Sequence, residues 1–374
     1  MVSGPVNAVV TTGIYCRDGC PASPDPVNVR TYPMDASAEH DGFRPCLKCR
    51  PDGRAPPVNW RGVPELVDHA LHEICHGALD YSTESELASL LGVSSRHLRR
   101  LFTEHLGVTP TQIGISRRTH FARRLVDETD LPVAQIAFAA GFGSVRSFNS
   151  SFKQIFHFTP TELRAKRRHS DQIPADGGIA LTLEVAPTPD TDTISTALST
   201  AAISGVEHAS RHAYQRTIVL AGHAGAIRVD WTRPEALRVE AHLPRFDRLI
   251  EVASRVRRLF DPTLDPRVFR GWTDTETAVK QLLVEELGPA ATRTILSEVA
   301  HRHGTDLLPI RPLGLTHTNA DYEKLSARDW LRAGVPVEVA ERCHAAAQTK
   351  PATPRGQISY SNTVAFLAAG FQDS

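Results

Sequence analysis

Four of the six cysteines fall as two close pairs. Cys16 and Cys20 have three residues between them and, after a gap of 25 residues, Cys46 and Cys49 have two. Two such pairs on separate loops can close a tetrahedral thiolate cage, the geometry that structural zinc prefers. The surrounding stretch, residues 1–55, is rich in Pro and Gly and shows no helical period, so one bound ion would also explain how it folds. The competing uses of these thiols are disulfides or no joint role at all. Six cysteines in 374 residues do not make a disulfide scaffold, and no basic region precedes an apolar stretch at the N-terminus as in a secretory leader. No apolar run reaches the roughly 18 residues of a membrane helix. The expectation from these features is a soluble, intracellular protein.

Charge narrows the class of partner. Lys plus Arg equals Asp plus Glu at 42 each, which excludes a uniformly basic nucleic-acid binder. Between residues 93 and 168, however, thirteen basic side chains stand against five acidic ones. A cationic segment inside a neutral chain is a footprint for phosphate, although a solvated helix surface leaves the same mark.

The pattern divides the chain into four parts, and the fold class expected is multidomain α+β. Residues 1–55 form a small zinc-stabilised module, followed by a linker, Pro51–Asn59, marked by its prolines and glycine. Residues 63–168 have helical apolar spacing, with Leu87, Leu90 and Leu91, then Leu98, Leu101 and Phe102. A second linker, His169–Gly178, leads to residues 178–266, where strands are expected at Ile179–Val185, Arg216–Gly222 and Ala226–Trp231 and a helix at Phe246–Phe260. Residues 267–374 are helical again, broken by Pro309, Pro312, Pro336, Pro351 and Pro354.

The residues around the cysteines carry a resemblance. TTGIYC (Thr11–Cys16) and GFRPCLKCRPD (Gly42–Asp52) resemble the zinc-binding DNA-repair module of the Ada family of alkylation-response proteins. The resemblance implies one zinc ion held by Cys16, Cys20, Cys46 and Cys49. It also implies that Cys16 takes a methyl group, once and irreversibly, from a DNA methylphosphotriester. Arg44 is a candidate DNA contact in the same module. Asp18 and Ser23 stand where members tend to carry a proline and a phosphate-facing arginine, and only 15 residues precede Cys16 where the family has an opening helix.

STESELASLLGVSSRHLRRLF (Ser82–Phe102) begins with a capping box at Ser82 or Thr83, turns at Gly92 and continues in a helix carrying Arg96, His97, Arg99 and Arg100. Leu131–Pro160 repeats this plan around Gly141 and Gly143, and its second helix carries Arg146, Asn149 and Lys153, with Phe148, Phe152 and Phe156 spaced for the inner face. Two helix-turn-helix units joined by Arg117–Leu125 can reach successive major grooves. The region resembles the DNA-binding domain of AraC-type activators over residues 64–168, which implies promoter DNA and RNA polymerase as partners. Arg146 and Asn149 are the candidate base readers, because both can bond base edges bidentately. Arg96, Arg99, Arg100, Lys153 and Arg167 complete the candidate DNA surface. A helical bundle that binds protein is the competing reading.

Gly205–Trp231 and Leu249–Pro266 resemble the N-terminal subdomain of AlkA-type DNA glycosylases, and residues 273–348 resemble the start of the glycosylase helical domain more faintly. No helix-hairpin-helix with a following buried Asp appears in this sequence, so glycosylase activity on a flipped base is not expected. Cys343, within ERCHAAA, lacks the residues around an alkylguanine-transferase cysteine and reads as a partly buried helix residue. His69, His72 and His76, with Cys75, share one helix but lack a partner segment, and His301 and His303 are weaker still as ligands. The sequence thus points to an alkylation-response activator with Cys16 as methyl acceptor. The alternatives are a non-enzymatic zinc-stabilised regulator and, third, a 3-methyladenine-type glycosylase.

Overall fold

The structure is a computed structural model that describes residues 4–22, 24–51, 60, 62–167, 171–173, 178–185, 191–200, 202–233, 236–260, 271–307 and 315–348. It is a multidomain mixture of helix and sheet. Ser23 and the two linkers lie wholly or mostly outside the described residues, as do Pro309, Pro312, Pro351 and Pro354.

The cysteine-bearing segment is more regular than its composition suggests. Strands β1 (Val6–Val9), β2 (Ile14–Cys16), β3 (Val29–Tyr32) and β4 (Arg44–Pro45) make one sheet in the order β3-β1-β2-β4. Helix α1 (Asp35–His40) lies between β3 and β4. With two to four residues apiece, these strands are too short to display an alternation. Gly13, at φ +66°, closes the turn between β1 and β2 in a conformation L side chains rarely adopt. The sheet keeps a small core of its own: Val6, Ala8, Tyr15, Tyr32 and Ala38.

Seven helices follow: α2 (Glu65–Cys75), α3 (Glu84–Leu90), α4 (Ser95–Leu106), α5 (Pro110–Glu128), α6 (Val133–Ala139), α7 (Val145–Phe156) and α8 (Pro160–Ala165). Their starts are written locally. Thr83, Thr109 and Thr159 each close a capping box, with Glu86, Gln112 and Glu162, while Ser94 and Ser144 cap α4 and α7 with their hydroxyls. The α3–α4 and α6–α7 pairs are the two helix-turn-helix units, and α5 is the long helix that joins them. Phe148, Phe152 and Phe156 line the buried face of α7, each ring within 5.4 Å of the next. Burying each such ring stabilises by about 1.5–3 kcal/mol.

Beyond Ile179 a five-stranded antiparallel sheet is built from β5 (Ile179–Glu184), β6 (Glu207–Ser210), β7 (Ala213–Leu220), β8 (His223–Arg233) and β9 (Ala236–His242), in the order β5-β9-β8-β7-β6. Helix α9 (Thr191–Thr200) precedes β6, and α10 (Leu249–Leu259) follows β9. Leu181, Leu183, Ile227, Val229, Trp231 and Val239 pack with α10 in one hydrophobic core that also contains Phe121, Leu125, Phe148, Phe152 and Phe156. The second helix-turn-helix unit and the sheet therefore share a core.

The last described elements are α11 (Asp274–His303), broken at Gly288 ahead of Pro289, α12 (Ala327–Arg332) and α13 (Val337–Gln348). They enclose a separate core around Val279, Leu296, Val299, Trp330 and Cys343. A buried charge cluster fastens α11 to the sheet. Arg216 bonds Glu207 at 3.0 Å and Glu276 at 3.1 Å, and Lys280 reaches Glu276 at 2.9 Å and Glu207 at 3.2 Å. Two cations and two carboxylates taken out of water together stay neutral as a set, and losing any one strands an uncompensated charge. Among the described residues, no helix is long and apolar enough to cross a membrane.

Candidate metal centre and nucleic-acid interface

The strand pairing assembles the cysteine cage. β2 and β4 run parallel, pairing Ile14 with Arg44 and Tyr15 with Pro45, so Cys16 and Cys46 emerge side by side at the same end. The Cys46 N–H donates to the Tyr15 carbonyl at 2.9 Å, locking that register. Cys20 returns on a turn whose N–H bonds the Arg17 carbonyl at 3.3 Å, and Cys49 follows Cys46 in a turn closed by the Arg50 N–H on the Cys46 carbonyl at 3.0 Å. All four Sγ atoms lie within 4.8 Å of one another. A tetrahedral zinc with sulfur at ~2.3 Å would set them ~3.8 Å apart, so the cage fits that ion with a small contraction. Cys16, Cys46 and Cys49 are buried and Cys20 is half-buried.

As thiols, Cys16 and Cys49 are not poised to react. Burial, reinforced by Cys20, pushes the Cys16 thiol well above its ordinary value, and burial likewise takes Cys49 up to about 11 despite the Arg17 N–H that bonds it. At Cys46 burial is outweighed by the backbone N–H groups of Cys49 and Lys48, which hold it below the ordinary value. A divalent cation reverses this logic, since it draws thiolates rather than thiols.

Beside the cage a polar row crosses the sheet. Asn7 pairs with Cys16 across the β1–β2 ladder. Its amide donates to Asp18 at 2.7 Å and its carbonyl accepts from Thr31 at 3.0 Å. Asp18 is thus a held side chain, with its charge on the exposed surface next to Cys16. Asn7 and Thr31 carry no motif of their own, and only the register reveals them.

Arg146, Asn149 and Lys153 are all exposed on one face of α7, opposite its three buried phenylalanines. Arg96, Arg99 and Arg100 are exposed on α4. Arg99 bonds Glu84 at 3.0 Å, and Arg100 lies 3.7 Å from Glu104. Two other candidates are engaged within the protein. Arg167 donates to the Thr129 carbonyl at 2.9 Å and to Asp130 at 2.6 Å. Arg44 is half-buried, bonds the Pro45 carbonyl at 3.2 Å and lies 5.8 Å from the Phe158 ring.

The remaining sequence candidates sit apart from this surface. Among the described residues, the four cysteines are the one group of His, Cys, Asp and Glu placed to hold a metal. The His72 and His76 rings lie tilted to one another with centroids 4.2 Å apart, and Cys75 is buried. His301 packs against His317 at 5.3 Å, His303 lies 4.0 Å from Asp329, and burial pushes the Cys343 thiol up to about 12.

Three known families match successive segments of this chain. Residues 6–52 match the metal-binding domain of Ada, 87–166 a helix-turn-helix domain and 180–293 the AlkA N-terminal domain. The Mycobacterium tuberculosis protein named "Probable bifunctional transcriptional activator/DNA repair enzyme AlkA" is 31% identical over 357 residues, covering 88% of this chain and 72% of that protein. The Bacillus subtilis "Bifunctional transcriptional activator/DNA repair enzyme AdaA" is 28% identical over 158 residues, 42% of this chain and 72% of that protein. A solved structure, "Crystal structure of the methylated N-ADA/DNA complex", is 34% identical and covers 30% of this chain and 82% of its own, with a TM-score of 0.13.

Proposed function

Because the chain belongs to the family of bifunctional transcriptional activators and DNA-repair enzymes that includes the AlkA protein of Mycobacterium tuberculosis, we propose that it removes methyl groups from DNA methylphosphotriesters onto Cys16 and then activates repair genes. The observation that carries this reading is the four-sulfur cage with Cys16 at the end of β2. The reading also divides the chain at the linkers into a metal module (1–55), a double helix-turn-helix unit (63–168), an α+β part (178–266) and a helical part (267–374).

Zinc, when bound, keeps the cysteine sulfurs as thiolates at neutral pH. Cys16 Sγ then attacks the methyl carbon in line with the departing oxygen. The S–C bond forms as the C–O bond breaks, its electron pair stays on the phosphodiester, and no proton has to move. The product is a thioether with no leaving path, so each molecule acts once. The cage loses one negative charge in the same step. Repulsion between this face and the phosphate backbone falls, and binding by the helix-turn-helix surface strengthens. Arg146 and Asn149 read bases, Arg96, Arg99, Arg100 and Lys153 meet phosphates, and RNA polymerase is the partner recruited.

A second reading keeps the zinc and the DNA binding but not the transfer. Cys16 is only 7% exposed, and the Asp18 charge stands beside it. Cys16→Ser separates the two readings. A transferase loses methyl uptake and the methylation-dependent gain in DNA affinity, whereas a plain regulator shows neither in the wild type and loses only metal affinity.

A further inference from the structure

A chain of buried contacts, polar as far as His120 and aromatic beyond it, leaves the cysteine cage and ends at the second recognition helix. It begins at Tyr15, which lies next to Cys16 in sequence and whose carbonyl holds Cys46. The fully buried Tyr15 hydroxyl donates to Glu39 Oε1 of α1 at 2.7 Å. His120 Nε2, on α5, sits 2.5 Å from the same oxygen. The His120 ring meets Phe156 edge-on at 5.3 Å, and from Phe156 the stack continues through Phe152 to Phe148 on the inner face of α7. Glu39 and His120 are 81 residues apart in sequence and both are buried.

This arrangement is costly unless it does something an apolar contact would not. Burial would raise the Glu39 carboxyl, but His120, with the hydrogen bond from Tyr15, holds it below the ordinary carboxylate range. Burying such a set carries a desolvation cost that a leucine at the same place would avoid. What hydrogen bonds add over apolar packing is direction, and here they fix one orientation of the metal module on α5. The neighbours reinforce that orientation. The Ser37 hydroxyl donates to the Leu106 carbonyl, Gln112 Nε2 lies 2.9 Å from His40 Nδ1, and Met34 and Ala36 of the module share a core with Leu98 and Phe102 of the first unit.

We propose that Glu39 and His120 are positioning residues that couple the cysteine cage to α7, so that metal occupancy and the state of Cys16 bias the order of the recognition helix. This rests on the reading that the state of Cys16 is signalled to the DNA-binding surface. Neither residue belongs to the four-cysteine group.

The test is amide hydrogen exchange across the full chain, zinc-loaded and chelator-stripped, in the wild type, Glu39→Gln and Tyr15→Phe. In the wild type, stripping should lower protection of residues 145–156 by about 5- to 150-fold, the range for coupled sites. In Glu39→Gln, α7 should exchange at one rate with or without zinc, while β1–β4 still respond. A purely structural role would lower protection everywhere and leave the zinc response of α7 in place. Tyr15→Phe, which removes a single hydrogen bond, decides the matter if Glu39→Gln fails to take up zinc. An α7 indifferent to zinc in the wild type, or as responsive in the variants as in the wild type, overturns the proposal. Zinc-dependent protection of α7 without methyl uptake would instead remove the transferase reading and leave the coupling standing.

Discussion

The Arg117 guanidinium on α5 donates a 2.7 Å hydrogen bond to the Ser254 hydroxyl on α10, and it also pairs with Asp80. The three groups are buried, and they tie the connecting helix of the DNA-binding region to the sheet-bearing half.

Removing one partner of such a cluster leaves a charge buried and unpaired. Arg117→Ala should cost about 3–5 kcal/mol. Because the second helix-turn-helix unit and the sheet also share a core, denaturant unfolding followed by separate probes in each half should shift both transitions together. A loss confined to one half would show that the shared core does not couple them.

A carboxyl on the same helix gives a pH dependence. Glu128 accepts from the Thr182 N–H at 2.8 Å, joining α5 to β5, and burial pushes it up to about 7. Its pKa is raised on folding. The neutral form therefore stabilises fully below the ordinary Glu value of ~4.3, and this contribution is lost as pH rises through about 7. The span is on the order of 3 kcal/mol. Glu128→Gln keeps the acceptor without the charge. It should remove the decline and leave the variant more stable than the wild type at pH 8, as read from Tm across that range.

Much of this organisation was legible in the residues. The cysteine spacing implied the cage, the capping box read at Ser82 or Thr83 implied the start of α3, which lies at Thr83, and the Phe148–Phe152–Phe156 spacing implied the inner face of α7. The strands expected at 179–185, 216–222 and 226–231 correspond to β5, β7 and β8, although β7 and β8 each begin three residues earlier. β6 escaped because its buried Glu207 is matched by Arg216 rather than by apolar neighbours. α1 is too short to show a period, and Glu39, His120 and Asn7 gain their roles only through contacts between distant segments.

The two classes of DNA contact should separate experimentally. Arg146→Ala or Asn149→Ala should cost about 1–3 kcal/mol on a selected operator and relax preference at single base positions. Lys153→Ala should weaken all sequences alike and reduce the salt slope by about 1. Fluorescence anisotropy over a salt series distinguishes them, and equal losses on random and selected duplexes for Arg146→Ala would remove it from the base-reading set.

Asp18 offers a charge test beside the cage. Asp18→Asn keeps a partner for Asn7 and removes a negative charge from the exposed face. Affinity for duplex DNA should rise a few-fold at low salt, and the gain should shrink as ionic strength shortens the screening length to about 8 Å or less. No change at low salt would place Asp18 away from the DNA.

The most direct measurement is the intact mass of the zinc-loaded full chain after incubation with methylphosphotriester-bearing DNA, followed by peptide mapping. The account predicts one added methyl group, on Cys16, with no further uptake on fresh DNA. An unchanged mass with the four-sulfur zinc site intact, or a methyl group on another cysteine, would contradict it.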